Sequence, residues 1–417
     1  MKASLVGRMT FAWKIGTTVL AMAIAPAVLP AQHGAAVPAR PHLEPGIDSN
    51  SAKANFQHGL RVVSDDPQES YRAFYWATRI DPTSADAWYA LWVARQLIMP
   101  SRDLTVYRNP LFTECSAANL AVDSLLFHAY AIDPFLYRGL DRPLRQRLAS
   151  ARAADRNPTV NQAAVNSDLT VRLERKQYEG WILYADARFE DALKAYANEM
   201  NRGWDAEVHK LNVHAERSKI FVLVDNLDSA RAEMRETIAE SRVRNRKDHV
   251  VIYDSTTMFE RALGAIDERA QRPVEARATY ARIVQENPTF YPAHVRLSAI
   301  ALGQGDTASA VSEMSLAVQL EPNDAALRYR FAEMLVDAKR DAAAAEQLRQ
   351  AIALDPNYAA PYLLMASIAD VEEYTDEAVA QYQSYTARAA GSDPQLPRVR
   401  GRLAKLSSSQ IAAPPPP

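Results

Sequence analysis

The side chains able to do chemistry are few and badly spaced for it. His209 and His214 lie five residues apart, with Glu216 close behind. Two imidazoles that ligate one metal from a single helix need a step of four, which stacks them on one face; a step of five turns them apart. Glu190-Asp191 and Glu372-Glu373 are adjacent carboxylates, yet they stand at turns and helix starts, where negative charge suits the positive end of a helix dipole. Gly59, Gly139, Gly180 and Gly203 stand singly, so they build no backbone cradle for a phosphate, and no Gly-x-Ser-x-Gly elbow occurs. Cys115 is the one cysteine, which excludes an internal disulfide. Its expected role is a small buried hydrophobe, with a reactive or dimer-linking thiol as the alternative. No catalytic residue, cofactor site or metal ligand is assigned.

Charge excludes another class. The 417 residues carry 48 basic and 50 acidic side chains, a net −2, so no overall field draws the chain to nucleic acid or an anionic membrane. The basic runs 142–156 and 242–247 lack the interleaved aromatics that stacking on single strands requires, and they read as solvated helix faces.

Binding must then be positioned by the elements, and a ruler in the sequence announces these. Pro288, Pro322 and Pro356 stand 34 residues apart, and Ala276, Ala310, Ala344 and Ala378 keep the same step. In the unit 290–322, His294, Leu297, Ile300 and Ala301 share one helical face. Gly303, Gly305 and Asp306 break that helix, and Thr307 to Leu320 forms a second with Ala310, Met314 and Ala317 inward. A methyl group at Ala310 lets the two helices approach closely. Pro322 cannot continue the second helix, so the chain turns into the next unit. A strict period of this length predicts stacked helix-turn-helix units, each packing only on its neighbours.

The pattern resembles the tetratricopeptide repeat family. The likeness is carried by Gly264, Ala276, Tyr280 and Pro288; by Leu297, Gly305, Ala310, Ala317 and Pro322; by Ala332, Ala344, Ala351 and Pro356; and by Tyr362, Ala366, Ala378 and Tyr382. Upstream, the run Gly180 to Tyr184 followed by Ala187 to Ala192 and Tyr196 looks like a further unit, and Ala230 like the packing alanine of a weaker one. Phe74, Ala77 and Pro82 leading into Trp88 and Leu91 look like the junction of two more. The resemblance implies an all-α fold, a right-handed superhelical solenoid of antiparallel helix pairs. It further implies a non-catalytic scaffold whose first helices line a concave groove for a protein or peptide partner.

In such repeats the fifth position of the first helix faces the bound segment, which here means Arg261, Val295, Tyr329 and Leu363. Neighbouring turns add Glu268, Leu302, Glu333, Val336, Ser367 and Asp370. Large apolar groups with a polar rim suit a helix or an extended peptide. Sealing of adjacent helices by Val295, Tyr329 and Leu363 is the alternative. Arg296 and Arg330, one period apart, could face the groove edge, but Ala299, Glu333 and Ser367 stand where one subclass carries an asparagine. That subclass's clamp on a terminal carboxylate is not expected.

The expected organisation is a signal peptide over 1–31, a Pro/Ala-rich linker over 32–50, and an irregular helical region over 51–165 with an extra loop at 99–112. Degenerate units follow over 166–256, four regular units over 257–390, a capping helix over 391–406 and a Pro-rich, unpacked tail over 407–417. Lys2, Arg8 and Lys14 precede the uncharged run Ile15 to Ala25, with small residues at Ala27 and Ala31, which is the outline of a secretory signal cut after Ala31. Pro26 and Pro30 interrupt the run before the roughly 20 residues of a membrane span, so membrane contact is expected only if this segment is retained. The expected place is the periplasm or outside of a bacterial cell. Two alternatives stay open: an exported enzyme or regulator with a site built from loop 99–112 and region 134–165, and a membrane-tethered assembly factor. Trp76, Trp88, Trp92, Trp181 and Trp204 lie in the irregular first half, either as a second contact surface or as filler for imperfect repeats.

Overall fold

A computed structural model describes residues 37–63, 65–98, 117–135, 180, 183–184, 187–199, 206–247 and 256–412. The signal, loop 99–112, Cys115, Trp181, Trp204 and residues 136–165 lie outside the described residues. Among the described residues there are sixteen α-helices and no strand. They are α1 (Ala52–Val62), α2 (Pro67–Ile80), α3 (Ala85–Ile98), α4 (Ala117–Ile132), α5 (Phe189–Glu199), α6 (Ala206–Leu223), α7 (Leu227–Lys247) and α8 (Thr256–Arg269). There follow α9 (Pro273–Glu286), α10 (Tyr291–Gly303), α11 (Thr307–Leu320), α12 (Ala325–Asp337), α13 (Asp341–Leu354), α14 (Ala359–Val371), α15 (Thr375–Arg388) and α16 (Leu396–Ala412). Consecutive helices pack in antiparallel pairs, the solenoid that the period predicts.

Three local devices repeat with the period. The first is the turn inside each pair. Gln271, Gly305, Lys339 and Glu373, 34 residues apart, all take positive φ (57°, 79°, 58° and 63°). Behind each, the next amide reaches back to the carbonyl five residues earlier: Arg272 to Asp267 at 2.8 Å, Asp306 to Ala301 at 2.9 Å, Arg340 to Leu335 at 2.8 Å and Tyr374 to Ala369 at 2.8 Å. This bond satisfies an orphan carbonyl at the helix end. Only one of the four positions is the glycine that adopts this backbone freely.

The second device lies at the junction between pairs. A side chain six residues past the proline donates to the proline carbonyl: Trp88 Nε1 to Pro82 at 2.9 Å, Arg328 Nε to Pro322 at 2.8 Å and Tyr362 OH to Pro356 at 3.1 Å. His294 Nε2 stands 3.0 Å from the Pro288 oxygen in the same place. Four different residue types therefore serve one end, because the only requirement is a donor of the right reach.

The third is the close approach of paired helices. Ala276, Ala310, Ala344 and Ala378 are fully buried, as is Ala230 in α7. Where the facing residue is a large ring, the neighbour shrinks to glycine: a Cβ on Gly264 would lie 2.6 Å from Tyr280 Cζ, and one on Gly59 would lie 2.6 Å from Phe74 Cε1.

The ends of the array differ from expectation. Residues 38–42, placed in a linker by composition, lie against α2. Trp76 Nε1 donates to the Pro38 and Ala39 carbonyls at 3.0 and 3.1 Å, and the Arg40 guanidinium stacks over the Trp76 ring at 3.7 Å. An extended Pro-rich backbone has no internal hydrogen bonds, so its carbonyls are available to such a donor. At the other end α16 runs past Leu406 to Ala412, into the segment expected to be unpacked. Leu396, Val399 and Leu406 cover Tyr382 and Tyr385. Arg402 clasps Asp370 with Nε and Nη2 at 2.8 and 2.6 Å.

Candidate functional site: the inner wall of the C-terminal units

The helices α8, α10, α12 and α14 are the first members of the four regular pairs and carry the predicted inner-wall positions. Against them lie helices of the same chain from its amino-terminal part. Asp48 accepts from the Gly391 amide at 2.7 Å, and Asn50 Nδ2 donates to Ala387 O at 3.1 Å. Arg79 lies 3.6 Å from Asp355, and His128 lies 3.9 Å from Asp324. Phe127 meets Phe290 and Tyr291 edge-on, each with ring centroids 6.1 Å apart, and Arg261 donates to Ala131 O. As the amino-terminal positions rise from 48 to 131, their partners fall from 391 to 261. The two stretches therefore meet in antiparallel register.

Each predicted wall residue can now be placed. Arg261 is only 4% exposed, and burial pulls its pKa below the ordinary arginine value. Its Nη2 donates to the carbonyls of Ala131 and Ile132, the last turn of α4, while Nε and Nη1 have no partner. Val295 is half-buried and lines a cavity of about 60 Å³ bordered also by His128, Arg261, Arg296, Asp324 and Arg330. Tyr329 is half-buried and stacks edge-on against Tyr358 at 5.5 Å. Burial, with Glu333 beside it, raises its phenol above the usual range. Leu363 packs at the edge of the cluster around Tyr362, Ala366 and Tyr382. These contacts show Val295, Tyr329 and Leu363 also sealing neighbouring helices.

The polar positions divide. Glu268 is taken by a two-point ion pair with Arg296, and Asp370 by Arg402 and the Tyr382 hydroxyl at 3.1 Å. Hydrogen bonding from Arg402 holds the Asp370 carboxyl below its usual range. Ser367 turns its hydroxyl back to Leu363 O at 2.9 Å. Glu333 is exposed, Val336 is half-buried and Leu302 is 39% exposed, so this part of the wall is open to solvent. Arg296 and Arg330 both reach the cavity that Arg261 reaches.

Sequence reasoning did not find the other side of this contact. Phe127, His128 and Ala131 on α4, and Arg79 with Asp355, were in no candidate set. A signal existed: α4 reads AANLAVDSLLFHAYAI, with Asp123 its only acid and no Lys or Arg. A helix this apolar calls for cover on more than one face. Asp355 is 2% exposed, and burial pushes its carboxyl up to about 6 despite the lowering pull of Arg79. Burial likewise pushes the His128 imidazole below its ordinary value, against Asp324.

Of the His209/His214 pair, the His209 side chain lies outside the described residues. His214 Nδ1 stands 2.6 Å from Glu233, which also accepts from Arg217 at 2.8 Å. Among the described residues no group of three or more His, Cys, Asp or Glu is placed to hold a metal ion, and no helix is long and apolar enough to cross a membrane. Trp76 and Trp88 are buried, the first under residues 38–40 and the second against His128 at 4.5 Å.

The periodic turns, alanines and proline carbonyls decide what the units are. Residues 301–368 match the tetratricopeptide repeat model. The matched segment takes in the end of α10, all of α11 to α13 and most of α14. No curated protein matches the chain. Solved structures similar to it include a C-terminal part of a tetratricopeptide repeat-containing protein from Cytophaga hutchinsonii. That match has 13% identity, 56% of this chain and 88% of that one, and a TM-score of 0.44. PilF from Pseudomonas aeruginosa matches at 16% identity over 50% of this chain and 88% of its own, with a TM-score of 0.40. MamA from Desulfovibrio magneticus matches at 14% identity over 48% and 97%, with a TM-score of 0.34.

Proposed function

We propose that this chain is an exported, non-catalytic scaffold that holds a protein or peptide partner against the inner wall of its tetratricopeptide units, in the assembly or regulation of the bacterial cell envelope. The observation that supports the reading is the spacing along three successive first helices, α10, α12 and α14, which carry Val295, Tyr329 and Leu363 one period apart. Half-buried Val336, partly exposed Leu302 and exposed Glu333 lie beside them. An apolar stripe with a polar rim is the composition of a peptide-binding groove. Export rests on the basic, apolar and small-residue order of residues 1–31.

Affinity capture from envelope fractions tests the binding. Wild-type protein is expected to retain a partner that the Tyr329→Ala variant loses by about tenfold, the effect of one central aromatic anchor, with the circular dichroism of the two proteins alike. Equal capture by both removes the wall from the function. Amino-terminal sequencing of the mature protein tests export: a start at Gln32 agrees with it, and a retained Met1 contradicts cleavage.

A further inference from the structure

Building on that reading, we propose that the inner wall is a receptor for the carboxyl-terminal end of an apolar helix, and that α4 of the chain is a cis occupant which an external helix of the same chemistry displaces. What the wall recognises is visible in what it already holds. Arg261, buried on α8, donates to the carbonyls of Ala131 and Ile132, which the end of α4 leaves without intrahelical partners. A cation at that end also meets the negative pole of the helix dipole. One turn earlier, Phe127 sits edge-on to Phe290 and Tyr291, and His128 faces Asp324, whose carboxylate also caps the start of α12 through Leu327 N at 2.9 Å. Ala131 packs against the cluster around Tyr291, Met314 and Leu327. The occupant is thus specified as a helix whose penultimate residue is small, with an aromatic four positions before it and few charges.

The fit of α4 is incomplete. Arg261 Nε and Nη1 and His128 Nε2 are buried at this contact without partners. The cavity of about 60 Å³ lies between α4 and the wall, and Phe127 remains 38% exposed. Unsatisfied buried donors and an unfilled cavity each disfavour the closed state. The seams inside the helix pairs are closed without α4, because Ala276, Ala310, Ala344 and Leu348 on α9, α11 and α13 are wholly buried. A partner that fills the cavity and supplies acceptors to the free Arg261 nitrogens therefore binds in place of α4, while the units keep their stacking.

A labelled peptide spanning residues 117–132, extended by three amino-terminal glutamates for solubility, probes this by fluorescence anisotropy against the full chain. Phe127→Ala in the protein loosens the cis helix, and its partial exposure makes the substitution tolerable; His128→Ala is the second variant should the first fail to fold. The peptide is expected to bind either variant at least tenfold tighter than wild type, and to lose that gain when Arg261→Gln is added. Equal affinity for wild type and both folded variants, or binding indifferent to Arg261→Gln, overturns the proposal. Envelope capture reports separately: peptide binding to the loosened chain with no captured protein keeps the cis occupancy and removes the scaffold function. Capture without any peptide binding does the reverse.

Discussion

Gly264 and Gly59 do the same work at opposite ends of the described chain, each yielding space to an aromatic ring, Tyr280 or Phe74. Trp88 and Arg328 likewise bond proline carbonyls in the same way in α3 and α12. The amino-terminal helices and the regular C-terminal units are therefore made of one kind of part. They differ in what surrounds the parts. In α8 to α15 the turns, alanines and prolines recur without insertion, so each pair meets its neighbour along a repeated face. Around α1 to α4 the period fails, the rings Phe56, Tyr71, Tyr75, Trp88 and Trp92 fill the core, and the outer faces turn to the C-terminal wall. Loss of periodicity thus coincides with an added contact across to the C-terminal units, while α1 to α4 still pack each on the next.

The largest test of that contrast is a core truncation on either side. Leu348→Ala, at a fully buried position of the C-terminal array, is expected to cost about 2–5 kcal/mol in urea unfolding. Phe74→Ala is expected to cost about 3–5 kcal/mol but to weaken α1 and α2 first. A shared single transition for both variants, read by near-ultraviolet circular dichroism against far-ultraviolet, would erase the distinction. Next, Gly264→Ala forces a methyl into Tyr280 and should destabilise by about 1–3 kcal/mol through overpacking.

The contact between the two regions carries its own pH signature. Asp355 has its carboxyl raised to about 6 from 3.8, so its ionised form is disfavoured in the folded chain. Its penalty is full above about pH 6 and is relieved as pH falls toward 4, so stability should rise on mild acidification from pH 7 to 5. A rise on the order of 1–3 kcal/mol is expected, and Asp355→Asn should flatten it, measured by urea midpoints across that range. A smaller effect follows from the junction bonds. Arg328→Met should cost about 1 kcal/mol by freeing the Pro322 carbonyl. The smallest is a gain: Lys339→Gly relieves a left-handed residue and should stabilise by about 0.5–1 kcal/mol, whereas Gly305 shows that the turn accepts glycine.

The regular half was legible because its markers are local. Ala310 announces a close helix pair and Pro322 the end of one whatever lies elsewhere, and the structure keeps both. The left-handed turn at Gln271, Lys339 and Glu373 was not legible, since only Gly305 has the residue that advertises it. The spacing of Val295, Tyr329 and Leu363 was readable from the period, but the contact of this wall with the amino-terminal helices was not. Ala131 lies 130 residues from Arg261 and Phe127 lies 163 and 164 from Phe290 and Tyr291, and a period of 34 says nothing about contacts at that range. Only the uniform apolarity of α4 hinted that a further surface must cover it.

Hydrogen–deuterium exchange on the intact wild-type chain bears most directly on the wall and its occupant. Amides of α4 from Ser124 to Ile132 should exchange at least tenfold faster than those of α12 and α13, through an opening that leaves the wall protected. Exchange of α4 and the wall together, in one cooperative event, would contradict a wall that stands by itself and holds α4 as a replaceable guest.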